Sequence, residues 1–563
     1  MAEGIKVKET LALISVTLLC MLASFGAANG QSWQWAKSAG GVSYDNATTI
    51  AADNMGNIYA TGYYSSGSIT FGTNTITNTD SGTADVFLVK YTSSGSVVWA
   101  KGAGGTGYDL VQSVATDVAG NVYITGYFQS PSIVFDTFTL TNTALATIFL
   151  AKYDTLGNVV WARASSGNYA DYAYSVHADA NGYVYITGKF GSSSVSFGGY
   201  TLNNIGAEDI FISKYDADGN VVWAKGAGGD GTDNATSITT DPAGNVYVCG
   251  WFDGINSQYG GDTLYNDSIG TTDLFLAKYD TAGNIIWVKT AGGLGDAQAI
   301  SVAIGDSGIV YLAGNYSIDL SFGADTVTNT GIGSTSDIFL AKFDTSANLI
   351  WLKSAGGSGS DNVQSITVDI YNSVYVAGYF LSPTLVFGSY TLTNAGGNDV
   401  FFARYNSLGD VYGATRSGGA NDDFGQSVAT DTAGRVYIAG SFESPTIIFG
   451  ATTLTNAGGS TGLTDMFIAK YYEPLLNVGK VNEIPQGLAL YPNPNDGIMN
   501  VSIVPNTYSS VMIFDCFGRE VYKKSGSFTE GSLSINLKGL TNGVYYASIV
   551  TGNCNQRIPF VME

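Results

Sequence analysis

"DTAGNIIWVKTAGG", residues 280–293, decides the fold because it is one of a set. The chain also reads "SSGSVVWAKGAGG" (93–105), "TLGNVVWARASSG" (155–167), "ADGNVVWAKGAGG" (217–229) and "TSANLIWLKSAGG" (345–357). The tryptophans Trp99, Trp161, Trp223, Trp287 and Trp351 therefore recur about every 63 residues. An earlier phrase, "SWQWAKSAGG" (32–41), brings Trp35, and in "GDVYGATRSGG" (409–419) Gly413 stands where the next tryptophan is due. A fixed period of this length is the signature of a supersecondary unit repeated along the chain.

Between the markers each unit reads as four strands. In one of them strand a is "SVATD", b "NVYITGYF", c "IFLAKYD" and d "NVVWAR". Strands b, c and d are nearly continuous apolar runs, as expected where both sheet faces are covered. Turns such as "DVAGN" between a and b, and "DTLGN" between c and d, are hairpin chemistry. Asp closes the turn on backbone amides and Gly supplies positive φ. The b–c connections are long, contain segments such as "FGSYTLTN", and predict an extra hairpin per unit.

Antiparallel four-stranded units of similar sequence predict an all-β protein whose units are β-propeller blades. The ends set the count. Strand b carries a glycine in seven copies: Gly62, Gly126, Gly188, Gly250, Gly314, Gly378 and Gly440. The first phrase is a lone strand d, and the last unit stops after its strand c, "MFIAKYY". The expectation is a seven-bladed β-propeller closed by an N-terminal strand, since an open stack would carry capping repeats instead. Because meander strands reverse at alternate ends, the a–b and c–d turns share one face. The d–a "AGG" loops and the b–c connections share the other.

At this point the repeats resemble the SBBP family of bacterial β-propeller repeats, on the phrases "DxxGNVYxTGYF" and "DxFLAKYDxxGNVVWAK" from residue 33 to about 472. The resemblance implies a propeller and no single activity. Residues 473–487, "EPLLNVGKVNEIPQG", break the repeat and read as a linker. Residues 488–563 alternate like a small β-sandwich and resemble the C-terminal sorting domain of the type IX secretion system of Bacteroidetes-type bacteria. The motifs are "YPNPNDG" (491–497), "IFDCFGREV" (513–521) and "LTNGVYYASI" (540–549). This resemblance implies the type IX machinery as a partner, export across the outer membrane, and removal of the tail with attachment to surface lipopolysaccharide.

Composition agrees with an exported all-β chain. Of 563 residues only 12% are charged, while Gly numbers 73, Tyr 36 and Phe 27. Residues 31–472 carry 37 acids against 16 bases within a net charge of −22, which excludes a nucleic-acid partner. Lys6 and Lys8 followed by an apolar run from Leu11 to Phe25 predict a signal peptide over 1–30, with cleavage between Ala28 and Gln31 and no membrane span after it. Leu19 before Cys20 speaks against a lipoprotein site. Cys249 falls in strand b as a small core residue, and export permits a Cys516–Cys554 disulfide.

The candidate chemistry is sparse. The one histidine, His177, would have to serve any Ser-His-Asp site, and it sits in a strand slot that holds Ala or Thr elsewhere. Seven acids precede strand a: Asp45, Asp109, Asp171, Asp233, Asp296, Asp361 and Asp423, with Asp296 shifted by one. On an innermost strand they would ring one channel mouth. They then either satisfy the amides of their own "AGG" loops or hold a cation or ligand. Paired carboxylates also suit glycoside hydrolysis, although nothing selects a pair. Tyr44, Tyr108 and Tyr169, with Tyr172, flank these acids in the first three units only, and sugar stacking competes with plain packing as their role. No cofactor is expected; calcium at the Asp-bearing turns is the one weak candidate. The expectation is a secreted or cell-surface module that binds a glycan or protein. An exported hydrolase or lyase and a structural or adhesive envelope protein are the alternatives.

Overall fold

The computed structural model describes residues 32–472 except 332, 334, 460 and 461, and then 490–491, 498–502, 508–514, 520–527, 532–540, 543–551 and 554–562. The expected signal peptide, the linker and the Cys516–Cys554 pairing lie outside the described residues. Contacts divide the chain between Glu473 and Pro474 into two compact units.

The first unit is built from antiparallel sheets with four strands in the order a–b–c–d, one of which extends to six because Gly228 and Gly229 also pair with the next hairpin. The first holds Asp45–Ala52, Ile58–Tyr64, Asp85–Tyr91 and Val97–Ala103, and five more follow with strands a beginning at Asp109, Asp171, Asp233, Ala297 and Asp361. A further sheet combines Asp423–Thr430, Val436–Phe442 and Asp465–Tyr472 with Ser32–Ala39, which pairs antiparallel to Asp465–Tyr472. Strand a of each sheet lies against strand a of the next, and the last lies against the first. Every b–c connection holds a two-stranded hairpin, such as Ser132–Phe135 with Phe138–Thr141.

Turn chemistry explains why these residues form these sheets. In "DVAGN", Asp117 Oδ1 accepts the amides of Ala119 and Asn121, both at 2.9 Å, and Asn121 Nδ2 donates to Asp117 Oδ2 at 2.7 Å. Strand a begins at the aspartate, four residues before the "SVATD" reading, because a bulge at Gln112 (Thr48 in the first sheet) lets two residues face one. The bulge aims a strand-a carbonyl at the strand-b glycine. A Cβ on Gly126 would collide with the Leu110 carbonyl, so only glycine fits there.

Neighbouring sheets interlock at two levels. On the outside, the tryptophan of each strand d lies on the c–d turn of the next sheet. Trp99 covers Gly157, whose φ is +83°, and its Nε1 donates to the Thr155 carbonyl at 3.3 Å. Lys90 of strand c donates to the same carbonyl at 3.1 Å. Trp35, Trp161, Trp223 and Trp351 repeat the contact. Trp287 differs: Ala347 replaces the turn glycine, and the buried indole N–H finds no acceptor in the protein. Gly413 now has a reason. The sheet next to it takes its strand d from Ser32–Ala39, so no c–d turn stands there for a tryptophan to cover. Trp33 enters that seam instead and fills part of it, with ring centroids 5.8 Å from Phe402, 5.0 Å from Phe449 and 5.3 Å from Tyr471.

On the inside, the serine after the bulge accepts an amide from the next strand a in six sheets, and Thr49 stands at that place in the first. Val176 donates to Ser113 at 3.1 Å, Ile238 to Ser175 at 3.2 Å, and Ile50 to Ser427 at 3.2 Å across 377 residues of chain. Between the two levels, strands b and c are buried on both faces, as in Val122, Tyr123 and Ile124, all 0% exposed.

The second unit comprises a three-stranded sheet (Leu490–Tyr491, Ile498–Ser502, Ser532–Asn536) and a four-stranded one (Tyr508–Phe514, Glu520–Ser527, Gly543–Thr551, Cys554–Met562). Met499, Val501 and Ile535 from the first and Val511, Ile513 and Ala547 from the second share one apolar core.

The pairing of Ser32–Ala39 makes one stability test direct. Deleting residues 31–38 strips the outer edge of Asp465–Tyr472 and removes Trp33 and Trp35 together. The melting temperature should fall by about 10 °C or more, or the protein should aggregate through the bared edge. A truncated chain that stays monomeric with an unchanged melting temperature in calorimetry would contradict this.

Candidate functional site

The strand-a acids open their strands at the end where the d–a loops run. Six are buried at 0–1% exposure: Asp45, Asp109, Asp171, Asp233, Asp361 and Asp423. Each is tied to a serine that follows strand b or, for Asp233, opens the hairpin. Ser66 Oγ donates to Asp45 Oδ2 at 2.6 Å, Ser130 to Asp109 at 2.7 Å, Ser192 to Asp171 at 2.8 Å, Ser382 to Asp361 at 2.7 Å, and Ser444 to Asp423 at 2.8 Å. Ser257 does the same for Asp233. Loop amides complete the set: Gly41 donates to Asp45 at 2.7 Å, and Gly229 and Gly419 donate to Asp233 and Asp423 at 2.8 Å. Most of these serines also accept a loop amide, for example Gly107 N to Ser130 Oγ at 2.7 Å. The relay runs from loop amide to serine to carboxylate and fixes the d–a loop on its sheet.

Burial favours the protonated carboxyl. It raises Asp45, Asp109, Asp171, Asp361 and Asp423 to about 6 and Asp233 to about 7, against the opposing hydrogen bonds. The strand-c acids Asp209 and Asp273 also rise to about 6 by burial.

Asp296 does not join this set. Its register slot is occupied by Ala297, whose amide donates to the Thr272 carbonyl as Asp45 does to Thr464. Asp296 itself is exposed and accepts the Thr272 amide at 3.0 Å. The one-residue shift in spacing thus moves this side chain out of the relay.

The tyrosines face solvent. Tyr44, Tyr108 and Tyr169 are 48%, 49% and 54% exposed. Their backbones are held in place: Ser65 N donates to the Tyr44 carbonyl at 2.7 Å and Gln129 N to that of Tyr108 at 2.9 Å, while Tyr169 N joins the relay by donating to Ser192 Oγ at 2.9 Å. Tyr172 is different. It is half-buried, meets Tyr127 edge to face at 4.6 Å, and lies under Lys189, which pairs with Glu208 at 2.6 Å.

Tyr172 points to residues that linear reading passed over. The position after the strand-b glycine reads Tyr63, Tyr127, Lys189, Trp251, Asn315, Tyr379 and Ser441. It pairs with the second residue of strand a, as Tyr127 does with Leu110 and Trp251 with Asn234. Tyr379 also meets Phe424 of the next strand a at 4.9 Å, edge to face. The signal was present in the varying middle letter of a phrase that otherwise reads Gly, then Phe or Tyr. Only the bulged pairing shows that these letters share the inner strands.

The remaining candidates are bonded into the fold. The turn acid Asp53 accepts the amides of Met55 and Asn57, the Asn57 amide group and the Tyr59 hydroxyl. Among the described residues no three His, Cys, Asp or Glu side chains are grouped to hold a metal ion. His177 Nε2 lies 3.0 Å from Thr240 Oγ1, and burial lowers its pKa to about 4. Cys249 is 0% exposed. Among the described residues no helix is long and apolar enough to cross a membrane.

Comparison with known proteins matches one segment in each unit. Residues 222–254, from strand d of one sheet through strand b of the next, match the SBBP beta-propeller repeat. Residues 489–562 match the secretion system C-terminal sorting domain. The chain is 23% identical over 519 residues to an uncharacterized WD repeat-containing protein of Acanthamoeba polyphaga mimivirus, covering 75% of this chain and 36% of that protein. It is 26% identical over 283 residues to the regulatory protein FlaEY of Caulobacter vibrioides, covering 46% of this chain and 28% of that one. It thus spans about a third of the length of these curated relatives. Among solved structures, Sqt1 from Chaetomium thermophilum aligns with 79% of this chain and all of its own, at TM-score 0.36 and 9% identity. By its matched segments, the chain is a β-propeller protein with an SBBP repeat and a type IX sorting domain that addresses it to the cell surface or the medium.

Proposed function

We propose that residues 31–472 form a seven-bladed β-propeller closed into a ring by Ser32–Ala39, and that residues 488–563 are a secretion address on a linker, 473–487. The exported propeller works by binding a glycan or a protein on the face that carries the d–a loops and hairpins. The ring reading rests on the pairing of Ser32–Ala39 with Asp465–Tyr472 and on the unbroken succession of strand-a contacts.

One observation carries the binding reading. Tyr44, Tyr108 and Tyr169 stand about half exposed on loops whose backbone is already fixed by buried acids and serines. Exposed aromatics on a rigid scaffold bind at low entropic cost, because nothing has to be ordered on contact. The acids are scaffold in this reading, and the tyrosines are the contact surface. The opposite face offers tight turns whose polar groups are bonded to one another.

Three outcomes test it. Replacing Tyr44, Tyr108 and Tyr169 with Ala should weaken a ligand found by glycan array about tenfold or more and leave the melting temperature within a few degrees. Asn57→Ala or Asn121→Ala should do the reverse, losing about 1 kcal/mol in urea denaturation with binding unchanged. Normal binding by the tyrosine variant would place the contact surface elsewhere.

Removing residues 488–563 should leave the propeller folded and held in the periplasm of its host, as cell fractionation would read. Surface delivery of the truncated chain would overturn the address.

The buried acids predict a pH dependence. Eight carboxyls have folded pKa values near 6 or 7 against about 3.9 when unfolded. Between these values the folded state binds more protons, so its stability falls as pH rises from about 4 to 7. His177, held neutral down to about pH 4, opposes this as a single group. The melting temperature should therefore be higher at pH 5 than at pH 8 at fixed ionic strength. A lower value at pH 5 would mean that the acids are held ionised, as a bound cation would hold them.

A further inference from the structure

The seam where the chain's first strand meets the last hairpin contains a cavity of about 480 Å³, lined by Trp33, Thr415, Arg416, Ser417, Ile448 and Gly450 and neighbouring backbone. That volume lies within the range of about 300–1,000 Å³ typical of small-ligand sites. The cavity exists because two absences coincide. No c–d turn stands beside Val411–Ser417, and that strand has Gly413 and Thr415 where the first sheet has Trp99 and Lys101.

Three departures from the repeat line this space. Arg416 occupies a slot held elsewhere by small residues such as Gly102, Ala164, Gly226 and Ser354. It pairs with Asp399 at 3.2 Å, so its charge is matched on the spot. Ser417 takes the place of Ala103, Ala227, Ala291 and Ala355. Ser417 is 3% exposed and its Oγ finds no protein partner, whereas the corresponding Ser165 Oγ accepts the Ile148 amide at 3.2 Å. A buried hydroxyl left unpaired costs about 1–3 kcal/mol, so this seam carries a local penalty that the other seams avoid. Trp33, partly exposed, supplies an aromatic wall.

We infer that this seam cavity binds one pyranose ring of a neutral polysaccharide. The apolar face of the sugar lies against the Trp33 indole. Its hydroxyls take the N–H groups of Arg416 not used by Asp399 and the Thr415 hydroxyl. The matched Arg416–Asp399 pair selects for a neutral ligand: an anion meets Asp399 and a strongly acidic protein, and a cation meets Arg416. This site is lined by residues other than Tyr44, Tyr108 and Tyr169 and does not depend on them.

The repeat itself supplies the variant that tests this. Ser417→Ala with Arg416→Gly restores Gly102 and Ala103 of the first sheet, where the equivalent acid Asp85 is buried without an arginine, so the fold tolerates both. Affinity electrophoresis of the full chain in gels with soluble glucan, mannan, xylan or polygalacturonate reads the binding. At least one neutral polysaccharide should retard the wild-type chain. The double variant should bind it about tenfold more weakly with an unchanged melting temperature, and the Tyr44, Tyr108 and Tyr169 alanine variant should bind it as the wild type does. Retardation by none of the neutral polysaccharides, equal retardation of the double variant, or preference for polygalacturonate would overturn the site. Loss of binding in the tyrosine variant alone would assign the glycan to the tyrosine loops and overturn the seam site.

Discussion

The tryptophan that each sheet lays on the next sheet's c–d turn is the contact on which the rest of this structure depends. A turn can accept an indole only where its third residue has no side chain and a positive φ, and Gly157 under Trp99 meets both conditions. The same carbonyl that takes the indole N–H also takes a lysine from strand c, so one turn anchors two side chains of its neighbour. Each such contact buries a large apolar surface, worth about 2–3 kcal/mol, and orients one sheet against the next. The exceptions follow from the same constraint. Where alanine replaces the turn glycine, Trp287 loses its acceptor. Where no turn exists, the tryptophan is replaced by Gly413 and Trp33 enters from the other end of the chain.

The inner side of the sheets is governed by hydrogen bonding. Strand a carries a bulge, and the bulge frees a serine to accept an amide from the neighbouring strand a. The acids at the start of these strands are buried, neutral in tendency, and bonded to serines and loop amides. A protein with net charge −22 thus keeps several of its acids out of the surface field, where they stiffen the loops that carry exposed tyrosines. Rigid loops with protruding aromatic side chains are the arrangement that a binding surface requires, and the proposed function follows from that rigidity.

How much of this was legible in the linear chain depends on the range of the interaction. The period, the strand order, the hairpin turns and the export address all rest on residues within a few positions of one another. Asp117 and Asn121 sit four apart and bond each other, so "DVAGN" declares its own turn. The sorting motifs are likewise local words, and they match a known domain over residues 489–562. The candidate acids were legible as a repeat, and the displacement of Asp296 was visible as a shift of one. Their orientation was not, because Ser130 lies 21 residues from Asp109 and only the folded sheet brings the two together.

The sequence by itself determined that repeated four-stranded units would form, since alternation, glycine and aspartate act through local backbone geometry. It also determined the secretion address. Only the tertiary structure decided that the acids turn inward, that the letter after each strand-b glycine meets the neighbouring strand a, and that one seam is left open beside Trp33. The reason is physical. Burial, pairing and cavities are created by residues that lie tens or hundreds of positions apart, such as Ile50 and Ser427, and no local pattern encodes which of them meet.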